Sequence, residues 1–501
     1  MEEHTEVERT YAPDAGSRLP DLRALDGVAT VGEPDTVLLR ATYLDSHDLA
    51  LLRGGVTLRR RSGGDDEGWH AKLPAGQGRR ELRLPLTDDE RTPPAALTEA
   101  VRGWTHGAAL EVVATIETRR TERRLQAEDG TVLAVLADDE VTGWPVDSAT
   151  PVCWREWELE LVAGAPALLA QADRLMAAAG VRPSAVDRKL LHVLGDRAPA
   201  SLTLPEPGRA RPAGELLHRR LAEQVAELHR REAETRSRDF AEGVHQVRIV
   251  CRRLRSALAA YRPLVDRTVT EPLAEELRWL GRELTGARDS GVIGEELLTM
   301  VAGQPAGLVW GPVAGRVART YTALGQREAA RVRDVLTSGR FDALLTGLDR
   351  LAAEPPFTDR AAEPTGTVVP RQLRKEWRRL AARVAAIEAG PRRDVTTHQA
   401  RKAAKRLRYA LETAEPAWPK EAKRLRKAVR RLTTVLGERQ DTVVARQHLV
   451  RLTADAAAAG ESGFTYGRLH GLAEARAREL DVAFAHEWRR SSRKKLRRWL
   501  S

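Results

Sequence analysis

HQVRIVCRRLRSAL, residues 245–258, and HQARKAAKRLRYAL, residues 398–411, are two copies of one pattern. Each is followed by a signature that ends in aspartate: LTGARD at Asp289 and LGERQD at Asp441. The interval from His to Asp is 44 residues in the first copy and 43 in the second. A helical residue turns about 100°, so Arg248, Arg252 and Arg255, at offsets 3, 7 and 10 from His245, fall within a sector of about 80°. His398, Arg401, Lys405 and Arg408 repeat those offsets. Each helix then presents an imidazole and three cations along about 15 Å of its axis. The apolar positions lie partly on another face: Val244, Val247, Cys251, Leu254 and Leu258 in the first copy, and Ala403, Leu407 and Ala410 in the second. Arg253 and Arg406 add charge beside them. Two accounts stay open from the residues: a solvated basic face, or a duplicated anion-binding surface. Asp289 and Asp441 suit either a salt bridge to these arginines or a helix N-cap.

Charge divides the 501 residues sharply. Residues 1–200 hold 24 Lys/Arg and 34 Asp/Glu, a net of −10; residues 201–501 hold 58 and 37, a net of +21. The length predicts more than one core. Residues 196–212, with four prolines, read as a linker between a domain over 1–195 and another over 213–501. A second loose stretch, 355–367, separates repeat units over about 213–350 and 370–501. Cys153 and Cys251 are the only cysteines, which excludes a disulfide framework and a CxxC site. The acidic N-terminus does not read as a secretory signal, and no apolar run is long enough for a membrane span. The expected location is the cytoplasm.

The first half reads as strands. Eight apolar–polar alternations are separated by turn residues: TEVERTY, TVLLRATYLD, VTLRRR, GWHAKLP, RRELRLPL, EVVATIETRRTERRL, TVLAVLADDEV and WREWELELV. That number suits a closed antiparallel sheet. Charges at i and i+2 share a face, as with Glu6 and Glu8, Arg59 and Arg61, or Glu156, Glu158 and Glu160. The alternation leaves two accounts: a solvated charged face, or a barrel wide enough for a polar tunnel. In a tunnel, basic side chains would hold a polyanion and clustered carboxylates a divalent cation.

In order and spacing, residues 4–193 resemble the CYTH family of triphosphate tunnel metalloenzymes. The resemblance rests on Glu6, Glu8 and Thr10 in the opening strand, on TYLD at 42–45, and on Leu58, Arg59 and Arg61. It continues through WHAKLP with Lys72, RRE at 79–81, ETRR at 117–120, Asp138, EWELE at 156–160, and RKL with Lys189. It implies an eight-stranded tunnel in which Arg59, Arg61, Lys72, Arg119 and Lys189 grip triphosphate or a similar chain. Glu6, Glu8, Glu158 and Glu160 would bind magnesium or manganese, with Asp138 and Glu156 as further ligands. Thr10 stands where the family usually has lysine, and supplies neither a proton nor a point charge. Hydrolysis and a tunnel kept for binding or packing therefore both stay open.

The second half reads as helices over 213–235, 239–264, 272–290, 371–388, 394–415, 419–437 and 441–457. Residues 213–501 resemble the CHAD domain, the conserved histidine alpha-helical domain. His245, Arg248, Arg252, Arg253 and Arg255 match its first basic helix, and His398, Arg401, Lys405, Arg406 and Arg408 its second. Arg288-Asp289 matches its Arg-Asp element, while Gln440 precedes Asp441 in the other copy. The resemblance implies two pseudo-symmetric four-helix units and recognition of inorganic polyphosphate. The whole chain is expected to be a multidomain α+β protein, an eight-stranded antiparallel β tunnel or barrel followed by an all-α bundle. The basic tail RRSSRKKLRRWL, 489–500, is expected to extend the basic surface. Few aromatics stand near the basic helices, which favours a chain of phosphates over nucleic acid. The expected roles are polyphosphate binding with metal-dependent attack on a phosphate terminus, or an adaptor at polyphosphate granules.

Overall fold

The computed structural model describes residues 2–14, 16–75, 78–184, 186, 188–199, 204–236, 240–387 and 392–500, without side chains for 2–6, 75, 78 and 287–289. The chain divides into two units, Met1–Ser201 and Leu202–Ser501. No described helix is long and apolar enough to cross a membrane.

The first unit carries one antiparallel sheet. Its strands are β1 (Glu2–Glu6), β2 (Glu8–Ala12), β3 (Thr30–Val31), β4 (Asp35–Asp45), β5 (Thr57–Ser62) and β6 (Gly68–Ala75). They continue with β7 (Gly78–Leu84), β8 (Glu111–Gln126), β9 (Val132–Pro145), β10 (Val152–Leu161) and β11 (Arg182–Pro183). The hydrogen-bonded order is β1-β7-β6-β5-β4-β8-β9-β10-β2-β11, with β3 beside β8.

This corrects the expected closed eight-stranded barrel: among the described residues the sheet has eleven strands, and its ladder is an open path from β1 to β11. TEVERTY, read as one strand, breaks at Val7 into β1, which pairs with β7, and β2, which pairs with β10. Strands β3 and β11 have two residues each, too few to show alternation.

Four helices accompany the sheet: α1 (Ala50–Arg53), α2 (Ala95–Thr105), α3 (Ala167–Ala178) and α4 (Lys189–Leu194). Trp157 and Leu159 of β10 join Tyr11, Leu125 and Leu136 in a core that includes Leu168, Ala172 and Met176 of α3. Burial of this face turns Glu156, Glu158 and Glu160 to the other side of β10. A second core sets Leu190, Val193 and Leu194 of α4 against Ala41, Ile116 and Val141. That contact needs a glycine: a Cβ at Gly143 would stand 2.2 Å from Cγ2 of Val193. Gly143 thus seats the short helix that begins at Lys189.

Among the described residues the second unit has ten α-helices. The first five are α5 (Ala213–Thr235), α6 (Phe240–Ala260), α7 (Arg267–Glu283), α8 (Thr285–Ala302) and α9 (Val313–Leu336). The others are α10 (Gly339–Ala353), α11 (Thr365–Ala385), α12 (Arg393–Ala414), α13 (Glu421–Ala458) and α14 (Phe464–Ser491). Two expected helices, 419–437 and 441–457, are one 38-residue helix, α13. Asp441 lies inside it and is not an N-cap. Ten helices also replace the eight of the expected four-helix pairs. The apolar stripes of α6 and α12 meet in the main core, where Val247, Leu254, Leu407 and Ala410 are fully buried.

The C-terminal segment is anchored by its apolar residues as a latch, and its cations still present a basic surface. Leu500 is buried in that core, Trp488 stacks on Trp377, and the Arg497 guanidinium lies over the Trp377 ring. Arg493, Lys494, Lys495 and Arg498 stay exposed.

Gly143→Ala forces a methyl group into Val193, whose branched side chain turns little. The variant is expected to lose about 1–3 kcal/mol, read as a fall in urea midpoint.

Candidate functional site

The sheet borders a cavity of about 600 Å³. Seven residues expected at the site line it: Glu8, Arg59, Arg61, Lys72, Glu158, Glu160 and Lys189. Sequence reading missed Arg79, Arg83, Arg120 and Arg188, which line it as well. Glu6 belongs to β1, but its side chain is outside the described ones. The cations crowd one another. Burial, and then the neighbouring Arg59 charge, press Arg61 down to about 10 despite a 2.6 Å contact with Asp66. On the acidic side, Glu8 stands opposite Glu160, and Thr10 opposite Glu158. Carboxylates paired directly across strands repel. Thr10, in the position where lysine was expected, does nothing to relieve this.

Lys189 supplies charge compensation instead. Its Nζ lies 2.9 Å from Asp139 Oδ2, 2.5 Å from Glu156 Oε1 and 2.7 Å from Glu158 Oε1. Arg120 donates to Asp139 Oδ2 at 2.7 Å and to Glu158 Oε2 at 2.5 Å. Trp154 Nε1 donates to Glu156 Oε2 at 2.7 Å. Burial raises the Glu158 carboxyl, but Lys189 and then Arg120 outweigh it and hold it well below the usual range. Burial opposes the Lys189 charge too, and the three carboxylates still raise it above an ordinary lysine. Glu156 goes the other way: burial pushes its carboxyl up, Lys189 lowers it, and the nearby Glu158 charge raises it again.

Two expected site residues face away from the cavity. Arg119 is exposed and meets Glu140 at 3.3 Å; the inward residue is Arg120. Asp138 takes two hydrogen bonds from Arg155, at 2.8 and 2.7 Å; the buried acid is Asp139. Each correction is a shift of one residue, which in a strand moves the side chain to the opposite face. Both pairs are Arg-Arg and Asp-Asp, so composition cannot choose between them. The antiparallel register can: Glu156 lies opposite Asp139, whereas Asp138 lies opposite Trp157 on the other face.

Asp139, Glu156 and Glu158 offer one oxygen each within 4.8 Å of one another. Such a hard-donor group can coordinate a divalent metal ion. The Lys189 ammonium already supplies positive charge there, so a bound ion would compete with it or use the neighbouring Glu8 and Glu160.

In the helical unit, α6 and α12 bring part of their basic faces together. Burial lowers Lys405 most, then the charges of Arg401, Arg252 and Arg408, to about 7, with Asp441 opposing them. Arg401 is lowered by burial and by Arg252 and Arg408, again against Asp441. A cavity of about 980 Å³ is lined by Arg252, Arg255, Arg262, Lys402, Lys405 and Arg406, among others.

Other members of the pattern are tied to internal acceptors. Arg253 lies 3.3 Å from Glu412, and Arg408 is 3.9 Å from the same residue and over the Tyr409 ring. Arg406 donates to Glu376 and to the Ala259 carbonyl, both at 2.6 Å. Arg248 donates to the Thr285 carbonyl at 3.4 Å. His398 Nδ1 lies 2.8 Å from Gln440 Oε1, so Gln440 orients the imidazole. His245 is half-buried on α6; the side chains of Arg288 and Asp289 are outside the described ones.

Lys189→Met leaves Asp139 and Glu158 facing Arg120, and Glu156 with its hydrogen bond from Trp154. The variant is expected to lose about 3–5 kcal/mol, and added Mn²⁺ should return part of its melting temperature while moving the parent less. Absence of that difference would show that these acids hold no ion. Arg119→Ala is expected to leave stability within about 0.5 kcal/mol, whereas Arg120→Ala should cost several times more in the same melts.

Residues 4–182 match the CYTH domain and residues 219–450 the CHAD domain. Uncharacterized proteins from two strains of Mycobacterium tuberculosis are each 34% identical over 507 residues, covering 96% of this chain and 96% of their own. Among solved structures, PptA from Streptomyces chartreusis is 22% identical with a TM-score of 0.47, covering 56% of this chain and 99% of its own. The CHAD domain from the plant Ricinus communis is 23% identical with a TM-score of 0.45, covering 58% and 96%. The chain belongs to the family of proteins that join a CYTH domain to a CHAD domain.

Proposed function

We propose that the helical unit binds inorganic polyphosphate along the facing surfaces of α6 and α12, and that the CYTH unit takes a triphosphate or a polyphosphate end. The observation that carries this reading is the surplus of charge around Lys405. Arg252, Arg401 and Arg408 press on it against Asp441, and the cavity it lines carries eight Lys/Arg to two Glu. Repulsion among buried cations is relieved by a linear polyanion, which needs charge matching and no stacking surface. Arg252, Arg401 and Lys405 contact the chain in this reading, with Arg255 and Lys402 at the cavity wall. Arg253 and Arg408 hold the helices through Glu412.

In the CYTH cavity, Arg59, Arg61, Lys72 and Arg120 bind phosphate oxygens and stabilise the charge that develops on them. Glu8, Glu158 and Glu160 would hold magnesium or manganese. When bound, the metal neutralises phosphate charge and lowers the pKa of a water. Lys189 keeps Glu158 ionised and fixes its direction.

A second reading has its own support. Thr10 replaces the expected lysine, and Lys189 already compensates the acidic cluster, which suits a protein that binds polyphosphate without cleaving it. Orthophosphate release from triphosphate with Mg²⁺ or Mn²⁺ separates the two: turnover supports the enzyme, and retention without turnover supports the granule adaptor.

Arg252→Glu and Arg401→Glu are each expected to weaken polyphosphate retention at least tenfold at physiological salt while keeping the helical circular dichroism. Duplex DNA at equal phosphate concentration should not displace polyphosphate from the parent; if it does, nucleic acid is the better ligand.

A further inference from the structure

We propose that Lys405 is an acylation site, at which the ε-amine takes the acyl group of an acyl phosphate held by the guanidinium groups of the helical cavity. Lys405 lies on α12, half-buried, and its side chain lines the cavity of about 980 Å³. Arg401 and Arg408 flank it on its own helix, Arg252 faces it from α6, and Asp441 faces it from α13. Across the cavity, α7 contributes Arg267, Glu271, Glu275 and Arg278, and Arg255, Arg262 and Arg406 add further positive charge to its lining. The arginines can hold a phosphate with hydrogen bonds of fixed direction, which Lys405 has no need to supply.

A lysine surrounded by fixed cations and partly removed from water becomes a free amine, the form that attacks carbonyl carbon. Burial first, and then Arg401, Arg252 and Arg408, bring Lys405 from 10.5 to about 7. At pH 7.5 most of it is then neutral, against about one in a thousand for an ordinary lysine. Nucleophilicity falls with basicity, by analogy with thiolates, which leaves a net advantage on the order of tenfold.

The step balances without an oxidant or reductant. The Lys405 nitrogen forms a bond to the carbonyl carbon of the acyl phosphate. The bond from that carbon to the phosphate oxygen breaks, phosphate leaves with the electron pair, and the proton lost from nitrogen goes to phosphate or water. The product is a neutral amide, so the cavity loses an amine that a bound polyanion would otherwise protonate, and with it part of its attraction for polyanions. The same arginines that would bind polyphosphate recruit the reagent, but the inference does not depend on which polyanion the unit normally binds.

Acetyl phosphate is the probe, applied to the full chain, with site occupancy read by peptide mass spectrometry. Lys402 is the internal control, because it is exposed and lines the same cavity. At pH 7.5 the initial rate at Lys405 is expected to exceed that at Lys402 about tenfold. Above about pH 8 the Lys405 rate should level off, while Lys402 keeps rising about tenfold per pH unit. Equal rates, or a Lys405 rate that climbs in parallel with Lys402, would overturn the proposal. Lys405→Arg should remove the fast modification and leave the slow one; persistence of a fast phase elsewhere in the cavity also overturns it. Polyphosphate retention measured on the unmodified parent reports separately on the binding function, so the two ideas can fail independently.

Discussion

Three carboxylates and one ammonium cluster beside the CYTH cavity, with Lys189 Nζ 2.5–2.9 Å from Asp139, Glu156 and Glu158; Lys189 and Glu158 line the cavity itself. Buried charge is tolerated only when it is paired and hydrogen-bonded. Arg120 and Trp154 complete the pairing from β8 and β10. Placement of Lys189 depends in turn on α4, which lies on the sheet because Gly143 leaves room for Val193. A glycine, a short helix and an ammonium group therefore place the positive charge that holds Glu158 ionised.

The two units treat like charges in opposite ways. In the CYTH unit the acidic cluster is neutralised from within. In the CHAD unit the surplus cations of α6 and α12 are only partly neutralised. Glu412 and Glu376 engage Arg253, Arg408 and Arg406, whereas Arg252, Arg401 and Lys405 press on one another against Asp441. One pattern of basic residues thus divides into cations that brace the helix packing and cations that remain electrostatically strained. The strained set is where the proposed polyanion would lower the energy most, and it includes the lysine proposed to be acylated.

Much of this was legible in the residues. The duplicated His/Arg offsets located the helices that face each other, and the stripe Val244, Val247, Cys251, Leu254 and Leu258 is buried as its spacing required. Arg59, Arg61, Lys72, Glu158 and Lys189 were assigned to the CYTH cavity and line it. The errors were of parity and continuity. Arg119 and Arg120, like Asp138 and Asp139, are identical neighbours, so only the pairing of β8, β9 and β10 decides which one turns inward. The segment at 437–441 looked like a boundary, yet α13 runs through it, because neighbouring helices bury its apolar side on both flanks of Asp441.

Sequence by itself determined the charge asymmetry, the two kinds of secondary structure and the repeated basic helix, because each depends on residue type and local period. Tertiary structure decided which charges are satisfied. Whether an arginine meets Glu412 or an unrelieved neighbour depends on the contact between α6 and α12. Whether an aspartate meets Lys189 depends on strand register. Those partners are far apart along the chain, and the Coulomb energy between them depends on ångström separations that no local pattern encodes.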